Sequence, residues 1–150
     1  MLSSSLTTHR GFHSIYSTQI ILNDTVDFAT CTLHLLYILP PRIFVDAYEL
    51  ANRRDLYSFR LSGISNLELP VTEVNPEGSA LLLNVLLPRP SPHGTQKVTV
   101  DIPLHLRYGE TAQSKASDDG TIKVSWPTGF WACPLFGKFY HTARFAIAHS

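Results

Sequence analysis

Hydrophobic residues in this chain recur mainly at every second position, the spacing of a strand that buries one face. The clearest run covers 98–108. Val98, Val100, Ile102, Leu104, Leu106 and Tyr108 fall on one parity; Thr99, Asp101, Pro103, His105 and Arg107 fall on the other. Residues 121–126 repeat the pattern, with Ile122, Val124 and Trp126 opposed to Thr121, Lys123 and Ser125. Further strands are predicted over 15–22, 26–39, 43–45, 56–61, 67–74, 81–87 and 139–147. Long patterns of 3.6-residue period are absent. One short helix is predicted over 48–55, where Glu49, Leu50, Ala51 and Arg53 are adequate helix formers.

Ten prolines and eight glycines break the chain into these short segments. Asn75-Pro76-Glu77-Gly78 reads as a turn and 88–94 as a stiff connecting loop. Asp119-Gly120 is a favoured turn pair because glycine accepts positive φ, so a long polar hairpin loop over 109–120 is expected to join Tyr108 to Ile122. Pro103 has no N–H to give a neighbour, which points to an edge strand, a bulge or a break near Ile102. Many short strands with little helix predict an all-β fold: an antiparallel β-sandwich, or a partly closed barrel, with at most one short helix. The expected organisation is a flexible N-terminal segment over 1–14 and a single domain over 15–150.

Composition narrows the function. A chain of 150 residues fits one domain with a real core. Its 44% hydrophobic content is ordinary, whereas 16% charged residues is low, which suggests a surface partly covered by a partner, a membrane or glycans. Twelve basic residues balance twelve acidic ones, so nucleic acid is not an expected partner. No stretch approaches the ~20 apolar residues of a spanning helix, and the N-terminus lacks the apolar centre of a signal peptide. Asn23-Asp24-Thr25 is an N-glycosylation sequon. Cys31 and Cys133 are too few and too far apart for a zinc site. They form either one long-range disulfide, adding roughly 4–5 kcal/mol in an oxidising compartment, or two buried thiols.

Candidate chemistry is sparse. Asp46, Glu49 and Asp55 surround the predicted helix, and paired carboxylates can serve acid–base catalysis. Capping and solvated charge account for them better, with Arg53 and Arg54 close by. Asp118-Asp119 is better explained as a turn than as a metal-binding pair. His105 and Arg107 share a parity with Asp101, so a polar patch on one strand face could meet an anion or a partner loop; the alternative is a solvated outer face. Phe130-Trp131-Ala132-Cys133-Pro134, with Trp126 just before it, is either core packing at a sheet end or an apolar docking patch. The seven histidines are scattered, and no nucleophile, base and orienter stand out together, so no metal and no cofactor is expected.

Four segments in order resemble the PIG-X family and its fungal counterparts. They are Leu39-Pro40-Pro41-Arg42-Ile43-Phe44-Val45-Asp46-Ala47-Tyr48-Glu49-Leu50; Leu67-Glu68-Leu69-Pro70; Ile102-Pro103-Leu104-His105-Leu106-Arg107-Tyr108; and Trp131-Ala132-Cys133-Pro134. The resemblance implies an endoplasmic reticulum membrane protein with a large lumenal domain. It implies a non-catalytic accessory subunit that stabilises a multi-spanning mannosyltransferase, the enzyme adding the first mannose in GPI-anchor biosynthesis. Family members carry a transmembrane helix after the lumenal domain. This chain stops at Ser150 without one, so membrane association is expected through a missing C-terminal helix or through the partner. Carried over, the family pattern marks Asp46, Tyr48, Glu49, Pro103, His105, Arg107 and Tyr108 as a fold or docking signature. His105 and Arg107 are then expected to project from a polar face and hydrogen-bond loops of the enzyme. Competing readings are a lumenal chaperone-like binding module with several membrane-protein clients, and a small carbohydrate-active enzyme using Asp46 or Glu49.

Overall fold

The computed structural model describes residues 2–8, 13–22, 30–63, 68–88, 95–107, 122–134 and 140–144. These form nine strands, one short helix and one 3-10 turn. The strands are β1 (Leu2–Thr8), β2 (His13–Leu22), β3 (Thr32–Leu39), β4 (Ile43–Phe44), β5 (Tyr57–Ser62), β6 (Ser79–Val85), β7 (Gln96–Leu106), β8 (Thr128–Pro134) and β9 (Tyr140–Arg144). The helix α1 spans Ala47–Ala51. Two antiparallel sheets result, a four-stranded one in the order β1-β2-β7-β4 and a five-stranded one in the order β5-β6-β3-β8-β9. The fold is therefore an all-β sandwich, and the two sheets do not close into a barrel.

The core lies between the sheets and is filled by the alternate residues that periodicity picks out. Leu33, Leu35, Tyr37 and Leu39 of β3 meet Val100, Ile102 and Leu104 of β7, with Leu81, Leu83 and Val85 of β6 and Tyr16 and Ile20 of β2. One hydrogen bond and one aromatic contact tie the two sheets together. The Tyr37 hydroxyl donates to Thr18 Oγ1 at 2.9 Å, within the core. The Tyr16 and Tyr37 rings meet edge to face at 5.8 Å. Burial pushes the Tyr37 phenol well above its ordinary value, so it stays a neutral donor.

Several expectations need correction. The N-terminal segment expected to be flexible contains β1, paired along its length with β2. Its Ser- and Thr-rich sequence carries too little apolar signal for periodicity to find it, and backbone pairing does not need that signal. Residues 68–74, the described part of the predicted 67–74 strand, do not form one: Val71–Glu73 is a 3-10 turn closed by Glu73 N–H to Pro70 carbonyl at 3.0 Å. Residues 122–127 join no ladder among the described residues. Ile122 and Val124 do face the core, whereas Trp126, expected on the same side, is 36% exposed, so the predicted sidedness holds for two of the three and the strand pairing for none. The predicted hairpin between Tyr108 and Ile122 is also overturned, because β7 and β8 belong to different sheets. Its loop, 109–120, lies outside the described residues, as do Asn23 and Tyr108.

Pro103 sits inside β7 without breaking it. β4 pairs with β7 only at His105 and Leu106, so among the described residues the strand around Pro103 has a paired neighbour on the β2 side alone. A residue lacking its N–H is tolerated at such an edge. The turn before β6 behaves as read: Gly78 N–H bonds the Asn75 carbonyl at 2.9 Å, and Asn75 Oδ1 accepts from Glu77 N–H at 3.0 Å. Gly78 has φ 75°, and a Cβ there would collide with the Leu39 carbonyl oxygen, so glycine is required twice over.

On the outer face of the five-stranded sheet, His34 stacks on Phe130 at 5.2 Å and its Nε2 contacts Thr32 Oγ1 at 2.9 Å. Desolvation lowers its pKa from the ordinary 6.5, against a smaller opposing effect of a backbone hydrogen bond with Leu83. The neutral ring is thus favoured by folding. As pH falls below about 6.5 the unfolded chain takes up the proton first, and stability declines until the folded value is passed. Urea midpoints between pH 8 and pH 5 are expected to fall less steeply in His34→Gln than in the native chain.

Candidate functional site

The carried-over residues converge where β4, α1 and the end of β7 meet. The turn at Pro40 starts this arrangement, with Ile43 N–H bonded to the Pro40 carbonyl at 2.9 Å. It aligns β4 so that Phe44 lies opposite His105 and Ile43 opposite Leu106. Arg107 N–H then bonds the Arg42 carbonyl at 2.8 Å and extends the pairing by one step. Asp46 begins α1: its backbone is extended, and its Oδ1 accepts from Tyr48 N–H at 2.8 Å. The cap aims the helix so that Leu50 is fully buried and Glu49 reaches β7.

Two side chains then meet the Phe44 ring, and a third, Glu49, joins them through His105. His105 stacks on it at 5.0 Å between centroids, with 17° between planes. The Arg107 guanidinium lies over the same ring at 4.8 Å. His105 Nε2 meets Glu49 Oε2 at 2.7 Å, an ion pair whenever the imidazole is protonated. Arg107 Nη1 donates to the Leu69 carbonyl at 3.1 Å. The side chain of His105 is 13% exposed and that of Glu49 38%, while Arg107 as a whole is 6% exposed.

His105 and Arg107 do share one face, as their parity implies, and they also share an aromatic partner that parity does not give. The expectation that this face is solvated is wrong for Arg107. The segment carrying Leu69 reaches it, so its fork bonds within the domain. Desolvation lowers its pKa, but a guanidinium stays charged at any physiological pH. The third member of the expected patch, Asp101, is elsewhere engaged and accepts from Ser17 Oγ at 2.6 Å. Among the described members of the set Tyr48 is the most exposed, at 84%. The recess beside Arg107, lined by Pro41, Ile43, Val74, Gly78 and Ser79, has no space for a small molecule. Among the described residues no group of three or more histidines, cysteines or acids is placed to hold a metal ion.

Phe44 and Leu69 are the participants that residue-by-residue reading missed. Phe44 looks like any aromatic in a short strand; its partner follows only from the β4–β7 register. Leu69 acts through its carbonyl oxygen, which a side-chain alphabet does not encode.

At the opposite end of β3, Cys31 and Cys133 are joined by a disulfide across 102 residues of sequence. Since Thr32 pairs with Ala132, the bridge closes the next step of the β3–β8 ladder. The aromatic run forms β8, and the two readings of it divide by parity: Trp131 is in the core at 2% exposure, whereas Phe130 faces outward onto His34. No described helix is long and apolar enough to cross a membrane.

These features define a class: a two-sheet β domain braced at one end by a helix-to-strand polar cluster and at the other by a disulfide. The chain belongs to the PIG-X/PBN1 family, whose model, described as PIG-X / PBN1, matches residues 9–141. That family is connected with GPI-anchor biosynthesis. The chain is 36% identical over 114 residues to protein pbn1 of Neurospora crassa, covering 72% of this chain and 22% of the relative. It is 35% identical over 113 residues to protein pbn1 of Emericella nidulans, covering 70% and 21%. With protein pbn1 of Schizosaccharomyces pombe it shares 32% identity over 119 residues, covering 72% and 33%. The chain thus spans about a fifth to a third of the length of these relatives. No solved structure matches it significantly.

Proposed function

We infer that this domain is the lumenal part of a non-catalytic accessory subunit in the endoplasmic reticulum membrane. Its partner is the multi-spanning mannosyltransferase that adds the first mannose to the GPI precursor, and its task is to keep that enzyme stable. The PIG-X/PBN1 match across residues 9–141 carries this reading. The chemistry of the signature residues supports it. Asp46 caps a helix and Glu49 pairs with His105, so the two acids of the carbohydrate-enzyme alternative act as structural partners.

Docking through Arg107 is set aside, because its fork is already used inside the domain. Tyr48 takes that role: a largely exposed aromatic at the start of α1, held in place by the Asp46 cap. Aromatic side chains supply large contact area at low entropic cost, which is why they dominate protein contacts. Tyr48→Ala is expected to leave the urea midpoint of the domain unchanged while lowering the amount of mannosyltransferase recovered with it from detergent-solubilised membranes.

The same recovery experiment on the native chain tests the whole reading. One dominant multi-spanning mannosyltransferase is expected. A spread of unrelated membrane proteins at similar yield would instead favour the chaperone-like module.

A further inference from the structure

Strands β8 and β9 form an arm whose attachment to the sandwich is narrow. Among the described residues β9 pairs only with β8. β8 pairs in turn with β3, and only over Thr32–Leu36 against Thr128–Ala132. The other edge of β3 is secured separately, by β6 over its length from Leu33 to Leu39. Removing the arm therefore leaves β5, β6 and β3 with their own ladder intact. Besides the ladder, the arm is held by Trp131 in the core and by the disulfide at the ladder's end. Just ahead of it, the Tyr16 hydroxyl donates to the Ser125 carbonyl at 3.4 Å, a long and weak bond.

We propose that the Cys31–Cys133 disulfide is a redox latch: its reduction releases the β8–β9 arm and uncovers the edge of β3. Both cysteines are partly exposed at the rim of the core, where a dithiol reductant attacks the bond as the end of the ladder frays. The reductant gives two electrons and two protons. The Sγ–Sγ bond breaks, each cysteine becomes a thiol, and the reductant closes into its own disulfide. Five residue pairs of ladder and the buried Trp131 then hold the arm without covalent closure. An element held at one edge opens locally at lower cost than the whole domain unfolds, even with Trp131 to withdraw from the core. The edge so exposed, Thr32–Leu36, presents unpaired N–H and C=O groups of the kind to which an added strand binds. This device does not depend on the accessory-subunit reading.

Amide hydrogen exchange tests it on the folded protein, first oxidised, then reduced in place with a dithiol and alkylated. Exchange is expected to accelerate roughly tenfold or more over 128–134 and 140–144 and at the β3 edge. Strands β2, β6 and β7 should remain protected. The Cys31→Ser/Cys133→Ser double variant should show the same pattern without any reductant. Unchanged exchange in the arm would overturn the latch. So would equal acceleration in every strand, since the bond would then staple the whole domain rather than hold one arm.

Discussion

Replacing Trp131 with alanine is expected to lower the unfolding free energy of the domain by about 3–5 kcal/mol. The side chain is 2% exposed and sits on β8, with Leu33 opposite it on β3. A buried tryptophan removes about 200 Å² from water, and ~25 cal/mol/Å² over that area gives an upper figure of about 5 kcal/mol. A single domain has only about 5–15 kcal/mol in all, so the variant loses a large share of its stability. The measurement is a urea titration, read as a midpoint shift at constant m. Trp126, 36% exposed and only five residues earlier, provides the contrast. Its replacement by alanine should cost clearly less than that of Trp131, because a third of its surface already meets water in the folded state. Equal losses at the two positions would mean that β8 does not face the core through Trp131.

That pair of tryptophans also marks how far periodicity reaches. Val100, Ile102 and Leu104 are buried where alternation puts them, and Leu33, Leu35, Tyr37 and Leu39 likewise. Burial depends on which side of the backbone a residue leaves, and alternation encodes side. Pairing depends on a distant segment arriving at the right register, which no local pattern states. Ile122 and Val124 were assigned the correct side and the wrong partner for that reason. β1 shows the converse. Its ladder with β2 is built from backbone groups of a serine- and threonine-rich segment, so composition offers nothing to read. The Asn75–Gly78 turn was legible because Gly78 answers a purely local demand, a positive φ beside the Leu39 carbonyl.

The polar cluster divides in the same way. Asp46 as a cap and Glu49 on a helix are local properties, and the sequence carries both. His105 beside Phe44 requires the β4–β7 register, and Arg107 requires the segment at Leu69 to lie within reach. Parity placed His105 and Arg107 together correctly. It could not say what covers them, and that cover decides between a docking surface and an internal brace.

Arg107→Ala separates those two roles and is expected to destabilise the isolated domain by about 2–4 kcal/mol. The substitution removes a charge-assisted hydrogen bond, worth about 1.5–3 kcal/mol, and strips the Leu69 carbonyl of that donor. It also removes the guanidinium from the Phe44 ring, a contact of about 0.5–2 kcal/mol in partly desolvated surroundings. These contributions overlap, since one side chain makes both, so the total falls below their sum. Arg107→Lys keeps the charge but not the planar fork, and should recover only part of the loss. Urea unfolding of the purified domain gives the first answer, and recovery of the mannosyltransferase from membranes the second. If Arg107 is a brace, partner recovery falls in step with domain stability across Arg107→Ala and Arg107→Lys, whereas Tyr48→Ala lowers recovery with stability intact. An Arg107→Ala domain as stable as the native chain, yet unable to hold the enzyme, would return Arg107 to the docking surface.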